Sequence, residues 1–348
     1  MKSFCLVFVA CAISVAGQAI GQAPKPSLKP SPRKAQMLNF IDGDQVLLIG
    51  DGLIEQAQKQ GYLEYRIMAQ NSGKKLYFHN IGWSGDTPAG IARDGLGTRQ
   101  AGHEPANEGW LQLRKQITVI KPTVAIIGYG MASSLDGSTM EQFRSDYQRL
   151  VEHIKVSAGK KNPLRLVFVS PIAHEDVGGK LPSGEAHNKA LEEYREVIGD
   201  LSKEHEAWFV DLYWHLKRRK GAATPLLTTD GIHLNDYGYW VMASAAELSF
   251  NWMETNFRFG IMDNGTERGG GYGIKLANIL RTANEVTLDG QFDGLPPYFA
   301  REKKSKLFTR QTAIGRIQFL GLPEGLYTLA ADDVEIYTGD AKEWSGGA

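Results

Sequence analysis

The chain has 348 residues, enough for one sizeable core and a smaller module. Acidic and basic residues balance at 39 each, so no chain-wide field draws it to nucleic acid or to an anionic membrane. Both cysteines, Cys5 and Cys11, fall in the opening segment, so a chain trimmed of that segment has no disulfide, thiolate metal site or cysteine nucleophile.

In the opening segment, Lys2 precedes an apolar stretch from Phe4 to Ala16, followed by small residues at Gly17-Gln18-Ala19 and Gly21-Gln22-Ala23. That layout predicts a secretory signal peptide over 1–23, cut after Ala19 or Ala23, and an exported, periplasmic or extracellular protein. The apolar run is too short for a membrane span, which needs ~20 residues. Residues 24–37, rich in Pro, Lys and Ser, read as a solvated linker.

From Leu38 a regular alternation begins. Apolar, strand-like runs stand at Gln45–Gly50, Leu76–Asn80, Val124–Gly128, Arg165–Ser170 and Trp208–Leu212. Between them lie stretches of helical period. Over Ser138–Val156, Phe143, Tyr147, Leu150, Val151 and Ile154 share a face, and Ser138 with Glu141 makes a capping box. Leu191, Tyr194, Ile198 and Leu201 share a second face, and Tyr237–Trp252 follows the last strand. Strands alternating with helices predict an α/β domain over 38–257, a mostly parallel sheet covered on both sides.

Beyond it the pattern changes. "DNGTERGGGYGI" is a glycine-rich connector that joins no strand to a helix, so it is not read as a phosphate cradle. Short runs separated by turns follow, with a hairpin predicted over Leu326–Tyr337, broken at Asp332-Asp333. Residues 258–348 are expected to form a small β-rich module, and the terminal "SGGA" offers little to close it with.

In an open α/β sheet, ligands bind beyond the carboxyl ends of the strands. The first strand ends in Asp51-Gly52, the second in "NIGWSGDT", the third in "GYGMASS" and the fourth in "SPIAHED". The last helix is entered through "TDGIHLND", where Asp230 can hold the imidazole of His233 and leave its other nitrogen free as a base. Taken alone, that spacing more often marks a structural pair. In "WSGDT", Ser84 and Gly85 are small enough to let a backbone N–H face the cleft and stabilise an oxyanion, or they simply form a turn.

In this order and spacing the segments resemble the SGNH (GDSL) hydrolase family, across nearly all of the α/β domain. They are also similar to a branch of secreted bacterial proteins carrying "GWSGDT", "YGM" and "SPI-x-HED". The resemblance implies a flavodoxin-like three-layer sandwich and ester hydrolysis, carbohydrate acetyl esters among the substrates. It places the nucleophilic serine at Gly52, the oxyanion-hole glycine at Gly85, the oxyanion-hole asparagine at Ala132, and the orienter and base at Asp230 and His233. The serine and the asparagine are both missing, so the implied protein is inactive or very weak.

Two alternatives stay open. His233 could activate a water, or a hydroxyl on Ser84, Thr87, Ser133 or Ser134 could replace the serine, with His174, Glu175 or Asp176 as a second acid or base and Asp51 in the cleft. Otherwise the chain is a non-catalytic glycan-binding or structural protein. The expected ligand is a small-molecule or glycan acyl ester, without nucleic acid, metal, cofactor or membrane span. The aromatics Trp83, Tyr129, Trp214, Tyr239 and Trp240 are expected in the core, or as a sugar-stacking surface if exposed.

Overall fold

In the computed structural model the described residues are 36–93, 108–178, 184–218, 225–252, 257–268, 273–292, 294–295, 315–332 and 334–347. The signal peptide and most of the linker expected from the sequence lie outside them.

Five strands, β1 (Gln45–Gly50), β2 (Tyr77–Asn80), β3 (Val124–Gly128), β4 (Arg165–Val169) and β5 (Trp208–Val210), form one parallel sheet in the order β2-β1-β3-β4-β5. This is the flavodoxin-like strand order, with its switch point between β1 and β3. Apolar residues run continuously along β1, β3 and β4 because both faces of these strands are covered. Alternate side chains divide into two cores. Val46, Leu48, Val124, Ile126, Val167 and Val169 pack against helices α1 (Gly52–Gln60), α2 (Tyr62–Gln70) and α7 (Asp236–Ser249). Leu47, Ile49, Ala125, Ile127, Leu166 and Phe168 pack against α3 (Glu108–Ile120), α4 (Met140–Ser157) and α5 (Gly184–Glu204). A six-residue helix, α6 (Leu212–Lys217), follows β5.

Small departures from the expected ends have local causes. The expected Ser138–Glu141 box gives way to Thr139, whose hydroxyl accepts from Gln142 N at 3.1 Å, so α4 begins one turn position later. Tyr129, Tyr239 and Trp240 are buried, as core aromatics should be, whereas Trp83 is 40% exposed and lies 5.6 Å from the Arg93 guanidinium.

The C-terminal segment forms three separate two-stranded sheets. Strand β6 (Phe257–Ile261) pairs in parallel with β9 (Gly315–Phe319), while β7 (Ile274–Arg281) with β8 (Val286–Phe292) and β10 (Leu326–Ala331) with β11 (Val334–Asp340) are antiparallel hairpins. The chain end closes more firmly than "SGGA" suggests. A short helix, α8 (Ala341–Gly346), starts in a capping box between Asp340 and Glu343 and buries Trp344 against Phe319. Among the described residues no helix is long and apolar enough to cross a membrane.

At the edge of the sheet opposite the site, a fully buried Asp44 binds the ends of three strands. It accepts from Ile41 N at 2.6 Å, Thr123 Oγ1 at 2.8 Å and Asn162 Nδ2 at 2.8 Å, and forms an ion pair with Arg165. Burial alone would raise its pKa, but Arg165 and the other donors outweigh it and hold the carboxyl below its ordinary value. A depressed carboxyl stabilises the fold above its unfolded pKa, and that stability is lost as pH falls through the folded one. Arg165→Ala leaves the carboxylate buried without its cation. It is expected to cost ~3–5 kcal/mol in urea unfolding and to move acid unfolding to higher pH; a loss within error of zero contradicts this role.

Candidate active site

The turn after β1 brings two backbones together: a Cβ on Gly50 would lie 2.0 Å from Gly128 O, so only glycine fits. Asp51 follows and caps α1, its Oδ1 accepting from Leu53 N at 3.1 Å. Its Oδ2 accepts from Met131 N at 3.1 Å and Ala132 N at 3.3 Å, so one carboxyl joins the β1 turn to the β3 loop. Burial drives its pKa from 3.8 up to about 6 against those three N–H groups, with the charge of Asp86 adding to the rise.

Gly52 opens α1. The atoms nearest a Cβ built there belong to Ser84, with Oγ at 3.3 Å. Gly85 has φ +76°, a left-handed turn with open space where a side chain would stand. The N–H groups of Gly52 and Gly85 have no hydrogen-bond partner among the described residues.

Ser84 is held by Glu55 on α1, whose carboxylate accepts from Ser84 N at 3.0 Å and from its hydroxyl. The hydroxyl contributes most to keeping the Glu55 pKa low. Asp86 turns away and is buried against Arg93, with Nε at 2.8 Å. Thr87 is buried beside it, and its hydroxyl has no partner among the described residues.

The Asp230 loop carries His233. His233 Nδ1 lies 2.7 Å from Asp230 Oδ2, and Asp230 Oδ1 accepts from Ile232 N at 3.1 Å and His233 N at 2.9 Å. Partial burial works to raise the Asp230 pKa, but the His233 ring and these two N–H groups bring it below its ordinary value. An ionised Asp230 therefore takes the Nδ1–H and leaves Nε2 facing outward on a ring whose side chain is 52% exposed.

That loop sits on "SPIAHED". Glu175 accepts from Leu227 N at 2.9 Å, Thr228 N at 2.9 Å and Thr228 Oγ1 at 2.6 Å, while its own N–H donates to Gly231 O at 2.9 Å. Gly231, at φ +97°, could not carry a Cβ, which would lie 2.7 Å from both Glu175 O and His174 Nε2. Glu175 and His174 thus support the loop from outside the cavity, and Asp176 is exposed with its carboxylate on Gly178 N.

The structure also adds a residue that the sequence reading passed over. His187, near the start of α5, lies 2.7 Å from Ser134 Oγ through Nε2 and 3.0 Å from His174 Nδ1 through Nδ1. Burial, and then the neighbouring His174, lower its pKa. The next residue, Asn188, holds both backbone groups of His174, at 2.9 and 2.8 Å. The adjacent His-Asn pair at a helix start was the available signal.

Asp51, Gly52, Ser84, Gly85, Ala132 and His233 all line one cavity of about 190 Å3, with Leu53, Met131, Leu135, Ile172 and Ile232 as apolar wall. Thr87, Ser133, Ser134, His174 and Glu175 are outside that wall, so Ser84 alone of the four candidate hydroxyls faces the cavity. Among the described residues no group of three or more His, Cys, Asp or Glu is placed to hold a metal ion.

A profile of the GDSL-like lipase/acylhydrolase family matches residues 48–241, which is more than half of the chain. The chain belongs to this family. A search of curated proteins finds no relative in sequence. Among solved structures, a gut microbial diltiazem-metabolizing enzyme is similar over 90% of this chain and 74% of its own, at 18% identity and a TM-score of 0.60. An acetyl-xylooligosaccharide esterase variant from Geobacillus is similar over 62% of this chain and 98% of its own, at 14% identity and TM-score 0.47. An alpha/beta hydrolase from the metagenome of Lake Arreo, Spain, covers 61% and 96%, at 17% identity and TM-score 0.47. At 18% identity the first of these likenesses is one of fold, and the chain has the SGNH hydrolase fold of its family.

The raised carboxyl gives a pH signature. Because the Asp51 pKa is higher in the folded than in the unfolded chain, its stabilisation is complete below about pH 4 and is lost as pH rises through about 6. This amounts to ~3 kcal/mol. Carbon NMR should show the Asp51 carboxyl titrating near 6; a midpoint at the ordinary carboxylate value contradicts the burial argument.

Proposed function

We propose that this family member is an exported protein that recognises an acyl ester, small or carried on a glycan, and hydrolyses it not at all or very weakly. The observation that carries the reading is Gly52. The helix-opening position of the cavity offers an N–H and no hydroxyl, so no acyl-enzyme can form there. Ala132 removes the amide donor of the oxyanion hole, a loss that by itself costs ~100- to 1,000-fold in rate. Nucleophile and donor act as one unit, so losing both leaves only what binding and the remaining N–H groups supply. Export rests on Lys2 and the Phe4–Ala16 apolar run followed by small residues.

A second reading draws on the intact 2.7 Å contact between His233 and Asp230. With Nδ1 engaged, Nε2 can take a proton from a water that attacks the ester directly in the space where a serine side chain would stand.

Nitrophenyl acetate separates the two. Turnover no faster than that of His233→Ala supports the first reading, and robust His233-dependent turnover replaces it with the second. The double substitution Gly52→Ser with Ala132→Asn should raise turnover ~100-fold or more, since base, orienter and half of the hole are in place. The new Cβ needs only a small shift of the Ser84 hydroxyl. A folded double variant that stays inert contradicts the assignment of these positions.

A further inference from the structure

The geometry points to a ligand class for this cavity: a free short-chain carboxylate, held by its charge and without any bond being made or broken. The inference rests on the reading of the cavity as one that lacks a nucleophile.

In an acyl-enzyme, the acyl carbon has one oxygen in the anion hole and a second bond to the serine oxygen. A free carboxylate carries the same acyl carbon with a second oxygen of its own. That oxygen needs the space a serine side chain would occupy, where Gly52 places no atom and Ser84 Oγ, 3.3 Å from the missing Cβ, is the nearest neighbour. The first oxygen then meets the two N–H groups without partners, those of Gly52 and Gly85, at the start of α1 where anions are favoured. These two donors are what the loop leaves free, because Asp51 already engages the N–H groups of Met131 and Ala132.

The charge balance requires a proton. With Nδ1–H committed to Asp230, the neutral His233 ring presents a bare nitrogen, which repels a carboxylate, and the imidazolium presents a donor. Asp51 and Tyr129 are the other titratable groups in the wall. Glu55 stands behind Ser84, and His174 lies against Gly231 on the neighbouring loop. Two of these are carboxylates that disfavour a second anion, so a carboxylate enters together with a proton on His233.

Size sets the chain length. The cavity holds about 190 Å3, whereas sites for drug-sized ligands run from ~300 Å3 upward, and an apolar cavity of about 150 Å3 takes a benzene molecule. Acids the size of butanoate to hexanoate therefore fit, their tails on Met131, Leu135, Ile172 and Ile232.

Calorimetry on the full chain tests this with butanoate, hexanoate and the uncharged butanamide. Saturable binding of both acids is expected, with the amide weaker by ~10-fold or more. Gly52→Ala, which fills the second oxygen's place, and His233→Ala should each weaken the acids by a similar factor. Heats measured in phosphate and in Tris should report uptake of a proton in the wild type and less in His233→Ala, where Asp51 is the remaining wall group able to take one. No saturable binding, or binding indifferent to charge and to both substitutions in folded protein, overturns the inference. Ester turnover in the same samples keeps the two levels apart. An inert chain that binds no acid removes only this inference, and His233-dependent hydrolysis removes the parent reading as well.

Discussion

One buried carboxyl sets the geometry on which the site depends. Asp51 caps the helix that follows β1 and, through its second oxygen, draws in two N–H groups from the loop after β3. Those two loops carry Gly52 and Ala132, the positions proposed above to match a nucleophile and an amide donor. Asp51 is also held in an environment that resists its charge, with a pKa pushed up to about 6. The fold tolerates that cost because the carboxyl is the joint between two strand ends. The same joint narrows what a ligand can use, since the Met131 and Ala132 N–H groups are already engaged and those of Gly52 and Gly85 remain.

Around this joint, positions without polar side chains stand beside intact hydrogen-bonding groups. Side chains that would form or stabilise a covalent intermediate are absent at Gly52 and Ala132. Backbone donors, and His233 oriented by its carboxylate, are present. The loop that carries His233 makes demands on neighbouring segments: Glu175 gives its whole carboxylate to the Leu227–Thr228 backbone, and Gly231 must be glycine to pass His174. A loop supported in this way keeps the His233 ring at the cavity whether or not a reaction follows.

Much of the fold was legible because the strands of a sheet covered on both faces are short, wholly apolar runs. "VLLIG" and "VAIIG" are unlike anything around them, and β1 and β3 have the bounds their sequences suggest. Ends set by a single cap were less legible: Thr139 and Ser138 are equally good caps in sequence, and only the backbone decides. Gly52, Gly85, Ala132 and His233 could be named because each sits within a few residues of a strand end or helix start. His187 was harder to name. It reaches Ser134 across 53 positions of sequence, and the adjacent His-Asn pair at a helix start was its one local mark. The same holds for Glu175, which looks like a cleft acid in "AHED" but spends its oxygens on a segment 52 positions away. Trp344 was hidden by the glycines after it, although the capping box that buries it is written in Asp340 and Glu343.

The claim beneath this account is that the cavity contains no activated oxygen of its own. Among the described residues, three that bear hydroxyls line it: Ser170 Oγ donates to Pro171 O at 3.0 Å, burial pushes the Tyr129 phenol well above its ordinary pKa, and the Ser84 hydroxyl is bound to a carboxylate whose proton affinity is low, a poor base for turning it into a nucleophile. A phosphonofluoridate probe, which couples only to activated hydroxyls, reads this directly by intact-protein and peptide mass spectrometry. The account predicts an unchanged mass after prolonged exposure; a stoichiometric adduct on Ser84 or any other hydroxyl, lost in His233→Ala, would contradict it.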